Sequence, residues 1–417
     1  MVLHRVVEGS DMAVPSATLS FISSLGVDIM GLCIGNFSND ILPTSVKESI
    51  GADTPMYGVK FDGTNSAGIR TYNAATLNWT PSTASVAGVD DFANLAPFNV
   101  KECITQYNSN TGEREVLAYK GDSNWASLVA SKTGDRMIEF PVFYYRRPSK
   151  YEFIVSPTYK PGFQPSPWHY RKGVLKEVRR ISKYNIDTNY ASQTGTAPRV
   201  NTNMNTFRTN LRAKGWYMMD YDAWYSIAIL MLVKYANMNL QSTVGLGYQN
   251  GSSVIANGNA DTVLGLDGSK TGVTTNESVL TFGIENFYAN EWKFLDGLFG
   301  YGGYLYKKDV EDMTSDPTSA SDLTGGTCEK INTGVIASAS NSAISDISFD
   351  STYPHVMFPT AVGSPNPSGD ACWSNTNFNC VFAGGGFYIG LSVGLFAFYV
   401  YAAVGVAGFG GGVCAIE

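Results

Sequence analysis

The sequence predicts an α+β chain, irregular and β-rich, with few helices. Glycine and tyrosine are both abundant, 43 and 24 residues in a chain of 417, a pairing that suits tight turns and exposed aromatic surface. Most apolar runs are short and stop at turn residues. In YGVKFDG (57–63) bulky positions alternate and then meet Asp62-Gly63, the mark of a strand and its turn. Strong helical spacing is confined to the stretch that follows Asp222.

Composition narrows the function classes. The chain is 44% apolar and 16% charged, enough for a large core and poor in charge beside the usual ~25%. Its net charge of −7 argues against a nucleic-acid-binding surface, and the most basic stretch, KGVLKEVRRISK (172–183), reads as one solvated face. The six cysteines (33, 103, 328, 372, 380, 414) include no C-x-x-C pair, so no zinc or redox motif is present. Cys372 with Cys380 or Cys414 is the pairing able to bridge outside a cell. Met1–Arg5 is short, and Glu8, Asp11 and Asp28 interrupt the apolar pattern after it; the start reads as cytoplasmically made, without a signal peptide.

Taken in order, residues 1–55 read as an N-terminal attachment or accessory segment, with 17–33 a strand or short helix. Residues 56–417 read as the ligand-binding domain. MIEFPVFYYRR (137–147) is an aromatic strand whose Pro141 places it at an edge or bulge. The prolines at 157, 161, 165 and 167 exclude regular structure from the next loop. TFRTNLRAK (206–214) predicts a helix capped by Thr206 and stopped by Gly215. Asp222 then caps AWYSIAILMLVKYANMNLQ, where Trp224, Ile227, Leu230, Met231 and Tyr235 fall at helical spacing; this is a core helix against a sheet. The stretch from Gly245 to about Glu277 reads as surface loop, and 312–350 as loop or insertion. VLTFGIENFYANEWKFLDG (279–297) gathers Glu285, Asn286, Trp292 and Asp296.

The last stretch, Val381 to Ile416, holds no Asp, Glu, Lys, Arg, His, Asn or Pro. Phe387 to Ala407 has the length of a membrane span, with small residues at Gly386, Gly390 and Gly394 spaced as in packed membrane helices. A C-terminal membrane anchor is therefore the rival reading. Against it, no Lys or Arg flanks the run, and ten glycines between 384 and 412 make a poor helix at about 1 kcal/mol each. The other reading is a set of short strands and loops displaying Phe, Tyr and Val between glycines.

Five segments in order carry a resemblance: YGVKFDGTNSAGIR (57–70), MIEFPVFYYR (137–146), WYSIAILMLVKYANMNLQSTVGLG (224–247), GIENFYANEWKFLDG (283–297) and GGGFYIGLSVGLF (384–396). The series resembles phage and prophage tail proteins with a C-type lectin domain of the formylglycine-generating-enzyme kind, and within them the variable proteins of diversity-generating retroelements. That family writes Gly-Gly, Ser, Trp, variable positions, Gly, more variable positions, then Gly-Leu-Phe. This chain keeps Gly384, Gly385, Gly390, Gly394, Leu395 and Phe396 but has Gly386 and Phe387 where Ser and Trp are usual. The family's closing Ile-Gly-x-Arg stands here as residues 409–412 without the Arg.

The resemblance implies a C-type lectin fold and a variable region of about 381–414. Diversification at adenines in Asn-type codons yields Tyr, Ser, Phe, Ile, Val, Ala and Gly among others, and 387–409 is built almost wholly from these residues. The implied variable, ligand-binding positions are Phe387, Tyr388, Ile389, Ser392, Ala397, Tyr399, Tyr401, Val404, Val406 and Phe409. Gly384, Gly385, Gly390 and Gly394 with Leu395, Phe396 and Trp292 are the implied scaffold. The implied role is non-enzymatic attachment to a host cell-surface protein or glycan, on a virion tail or a cell surface. Other tail proteins would be held through the N-terminus, with no nucleic acid and no membrane insertion.

An enzyme is the other rival. Formylglycine-generating enzymes carry a copper-binding cysteine pair just after Gly-Gly, whereas 387–410 holds no cysteine and Cys414 stands alone. The histidines, His4, His169 and His355, are far apart in sequence, and His169 between Trp168 and Tyr170 reads as a packed loop residue. Glu285 and Asp296 read as carboxylates pinning the loop near Trp292, with an acid pair or calcium ligation as the alternatives; calcium is the one cofactor the sequence leaves open, and no other is implied.

Overall fold

The computed structural model describes residues 54–331, 338–408 and 411–417. The expected N-terminal segment, apart from its last two residues, and Phe409 lie outside the described residues. The described chain is mostly β with few helices.

The largest sheet runs, in hydrogen-bonded order, Glu329–Lys330, Tyr304–Lys307, Trp292–Tyr301, Asn379–Gly384, Gly394–Val400, Ala371–Ser374, Ala339–Ile347 and Pro359–Val362. Gly411–Gly412 pairs in parallel with Trp292–Lys293 at its side. A second sheet orders Tyr217–Met218, Ala415–Ile416, Val178–Ser182, Asp135–Pro141, Lys101–Asn108 and Glu113–Tyr119. A third orders Ile69–Tyr72, Tyr57–Lys60, Glu152–Ser156, Tyr144–Ser149 and Gln164–Pro165. The C-terminal run thus supplies inner strands to two sheets. Between Phe387 and Ala407 it is loop, strand and loop, not one helix, and among the described residues no helix is long and apolar enough to cross a membrane.

The helix Tyr221–Tyr235 is buried on every side and packs against Tyr57–Lys60, Glu152–Ser156 and Trp292–Tyr301. Its one lysine is neutralised inside the protein: Lys234 Nζ lies 2.7 Å from both Asp90 Oδ2 and Asp267 Oδ2. That pairing lets a charged residue occupy a core helix. The cap is Asp220, whose side chain accepts from the Ala223 amide, not Asp222. Asp222 sits in the first turn and pairs with Lys307 at 2.5 Å. The preceding helix, Met204–Arg212, is capped by Asn203 instead of Thr206, its Oδ1 accepting the Thr206 amide at 2.9 Å. In both helices the acceptor that reaches a free first-turn amide lies upstream of the expected residue.

Other expectations change for local reasons. The run 137–147 divides between two sheets, so Pro141 ends an inner strand opposite Val178 and does not mark an edge; at the last rung its missing N–H removes little. Residues 339–347 form a sheet strand inside the expected loop region. The basic stretch is a solvated face only in its first half, where Lys172 and Lys176 are exposed; Arg179 and Lys183 are buried, Lys183 pairs with Glu102 at 3.0 Å, and Arg180 with Glu139 at 2.7 Å. Cys372, Cys380 and Cys414 are buried free thiols and no bridge joins them; Cys414 Sγ donates to Asn185 Oδ1 at 3.4 Å.

Candidate binding face

Trp292 opens the longest strand and is 1% exposed. The Trp373 ring meets it edge-on at 5.5 Å and 90°, and Tyr399 lies 5.6 Å away. Tyr399 in turn neighbours Trp373 at 6.0 Å and Tyr401 at 6.1 Å. The Trp292 side chain shares a hydrogen bond with that of Tyr388, whose ring packs 5.0 Å from Phe387. Trp292, Trp373 and Tyr399 form a floor of strand residues, and Phe387, Tyr388 and Tyr401 join it from the flanking loops.

Those loops are fixed through their backbone. The Phe387 amide donates to Asn290 O (3.1 Å) and its carbonyl accepts from Gly251 N (2.7 Å). Gly390 N donates to Gln249 O at 3.0 Å, and Ala371 N to Ser392 O at 3.1 Å. On the second loop Cys380 N donates to Ala402 O and Val406 N to Ala403 O. Main-chain anchoring leaves side chains free to differ without breaking the loop.

Of the residues expected at the surface, Tyr388 and Tyr401 are exposed (45% and 50%). Phe387, Ile389, Ser392, Tyr399, Val404 and Val406 are half-buried. Ala397 is a correction: it is fully buried, on the same side of the strand Gly394–Val400 as Tyr399, two residues on, but packed into the core cluster beneath that ring and not reaching the surface. Leu391, 63% exposed, stands beside the expected positions and was not among them. Trp373 was missed as well; a tryptophan in the polar stretch WSNTNFN (373–379) is the signal that marked it. No residue from 371 to 416 is charged, and neither is any in the adjoining loop 248–258, so the face is neutral on a chain of net charge −7.

The scaffold residues Gly384, Gly385, Gly394, Leu395 and Phe396 are buried, and Gly390 is half-buried. Gly394 is required by close approach. A Cβ there would fall 2.2 Å from Oδ1 of Asp370, a buried carboxyl whose Oδ2 accepts the Phe396 amide at 2.7 Å. Burial lifts the Asp370 pKa well above the usual carboxylate range. Gly394→Ala is expected to lower stability by about 1–3 kcal/mol, the cost of overpacking a rigid core site, as read from urea midpoints.

The other candidate residues belong elsewhere. Glu285 is buried and accepts from the amides of Gly258 (3.0 Å) and Ala260 (3.1 Å), with burial raising its pKa to about 7. Asn286 accepts from the Val279 amide. Asp296 pairs with Arg208 at 2.6 Å. Each carboxylate is spent on its own loop or helix, and among the described residues no three His, Cys, Asp or Glu side chains gather as metal donors. His169 is buried between Ser166 Oγ (2.9 Å) and the Phe140 carbonyl (3.2 Å), and desolvation lowers its pKa to about 3.

No family model matches the chain, and no curated protein matches it. Among solved structures it is similar to a Major Tropism Determinant M1 Variant, at 10% identity and a TM-score of 0.29, over 76% of this chain and 71% of that one. At that TM-score the likeness adds no weight to a reading of fold or function.

Proposed function

We propose that this chain is a non-enzymatic receptor-binding protein with a C-type lectin fold of the formylglycine-generating-enzyme kind. Its C-terminal face is varied by a retroelement and attaches a virion tail or cell-surface adhesin to a host-surface ligand. One observation carries the reading: exposed and half-buried bulky side chains from 387–406 stand on loops held by main-chain hydrogen bonds over a Trp292–Trp373 floor. Tyrosine and its neighbours bring large contact area with few rotors to freeze. A contiguous exposed apolar surface of this kind is itself an interaction signal.

The test is selection. The full chain, displayed on a particle and randomised at Tyr388, Ile389, Ser392, Tyr399, Tyr401, Val404 and Val406, is panned against immobilised proteins and glycans. Binders to unrelated targets, differing only at those positions and folded as the parent, are expected. Recovery of no binder from a folded library would overturn the reading. Retroelement variation has its own check: the native locus should hold a near-identical template repeat, differing at adenines, beside a reverse-transcriptase gene.

A further inference from the structure

We propose that Glu291 is a proton-held latch on the candidate binding face. Its uncharged carboxyl, pressed against the backbone of Gly412, keeps the chain returning from loop 401–408 docked beside Trp292, and loss of the proton loosens that return. The inference takes from the proposed function only that this surface binds.

Glu291 is 0% exposed, and neither carboxyl oxygen has a hydrogen-bond partner. A Cβ built on Gly412 would lie 2.3 Å from Oε2, 2.4 Å from Cδ and 2.5 Å from Oε1, so the carboxyl is laid against the bare Cα of that glycine. Gly411 and Gly412 run beside Trp292 and Lys293, directly after the loop whose Gly408 carbonyl accepts the Gly411 amide at 3.0 Å. An anion here would have no donor to replace water. The titratable groups facing it are Lys293, two residues on in the strand that begins at Trp292, and Cys414, between the short strands Gly411–Gly412 and Ala415–Ile416. Lys293 does not pair with the carboxylate: Nζ donates to the carbonyls of Ala289 (2.6 Å) and Glu291 (2.8 Å).

Burial lifts the Glu291 pKa from an ordinary 4.5 to about 8, against the opposing pull of Lys293. An opened return would titrate at the ordinary value. Between the two values the closed form holds the extra proton, so rising pH favours opening by up to about tenfold per unit and levels off above them. Lys293, drawn down by burial from 10.5 to about 8, acts in a different window and with the opposite sign: above its lowered pKa, rising pH favours the closed form. Cys414, lifted by burial to about 12, ionises outside both.

Hydrogen exchange by mass spectrometry on the full chain, without ligand, from pH 5 to 8.5 and corrected for intrinsic rates, tests this. Protection of 411–417 is expected to fall about 100-fold or more between pH 5 and 8, with the helix Tyr221–Tyr235 changing less. Glu291→Gln should abolish the fall, and Lys293→Met should keep it. A flat wild-type profile, a fall shared equally by the helix, or the same fall in Glu291→Gln would overturn the latch. The wild-type profile decides even if a variant fails to fold. Because no ligand enters, a failed binding selection and a failed latch are separate results.

Discussion

A chain ending at Asn379 is expected to have no cooperative unfolding transition. The cut removes the strand Gly394–Val400, which joins Asn379–Gly384 to Ala371–Ser374, and most of Asn379–Gly384 with it. It also removes Ala415–Ile416, an inner member of the second sheet. Val381, Phe382, Leu395, Phe396, Phe398, Val400 and Val413 are among the buried side chains lost. At about 1.5–3 kcal/mol each, they alone match the ~5–15 kcal/mol that holds a typical domain together. Calorimetry and circular dichroism on the cut chain read the outcome. A soluble truncation with a sharp transition would mean the run is an appendage, as a membrane anchor would be.

Arg208→Ala is expected to cost about 3–5 kcal/mol, the penalty for breaking a buried ion pair from one side. Arg208 links the helix Met204–Arg212 to the floor strand through Asp296 at 2.6 Å and to Asp316 at 2.9 Å. Their side chains are 2%, 0% and 6% exposed, so truncation leaves carboxylates in the interior without a cation. Asp296 keeps only the Gly297 amide. Adding Asp296→Asn should return part of the loss, and urea unfolding of the double-mutant cycle measures the coupling. Equal and additive losses would show that the pair contributes only packing.

The sequence carried the broad design and missed its contacts. Tyr221–Tyr235 was legible because its apolar positions repeat over several turns, while its cap was not: Asp220 and Asp222 are both aspartates, and only geometry shows which reaches the Ala223 amide. Pro141 misled because an unbroken apolar run hides the point where the chain changes sheet. At the face, glycine spacing and residue type picked out loops that do carry exposed tyrosines. Ala397 failed because residue type says nothing of depth: a small side chain on the same strand face as Tyr399 stays in the core beneath it, and Leu391 because leucine is not among the residue types by which the positions were chosen. Glu291 was invisible: its role depends on Gly412, distant in sequence and apposed only by the fold.

The central claim is that the face exchanges its side chains over a fixed backbone. The most direct measurement is thermal unfolding of one chain in which the exposed Tyr388, Leu391 and Tyr401 are all replaced by serine. The account predicts a single transition within about 10 °C of the parent, since surface substitutions cost about 0.5 kcal/mol or less each and 1 kcal/mol moves the midpoint of a large domain by about 2–4 °C. Loss of the transition would contradict it, because those side chains would then be holding the fold and not the ligand.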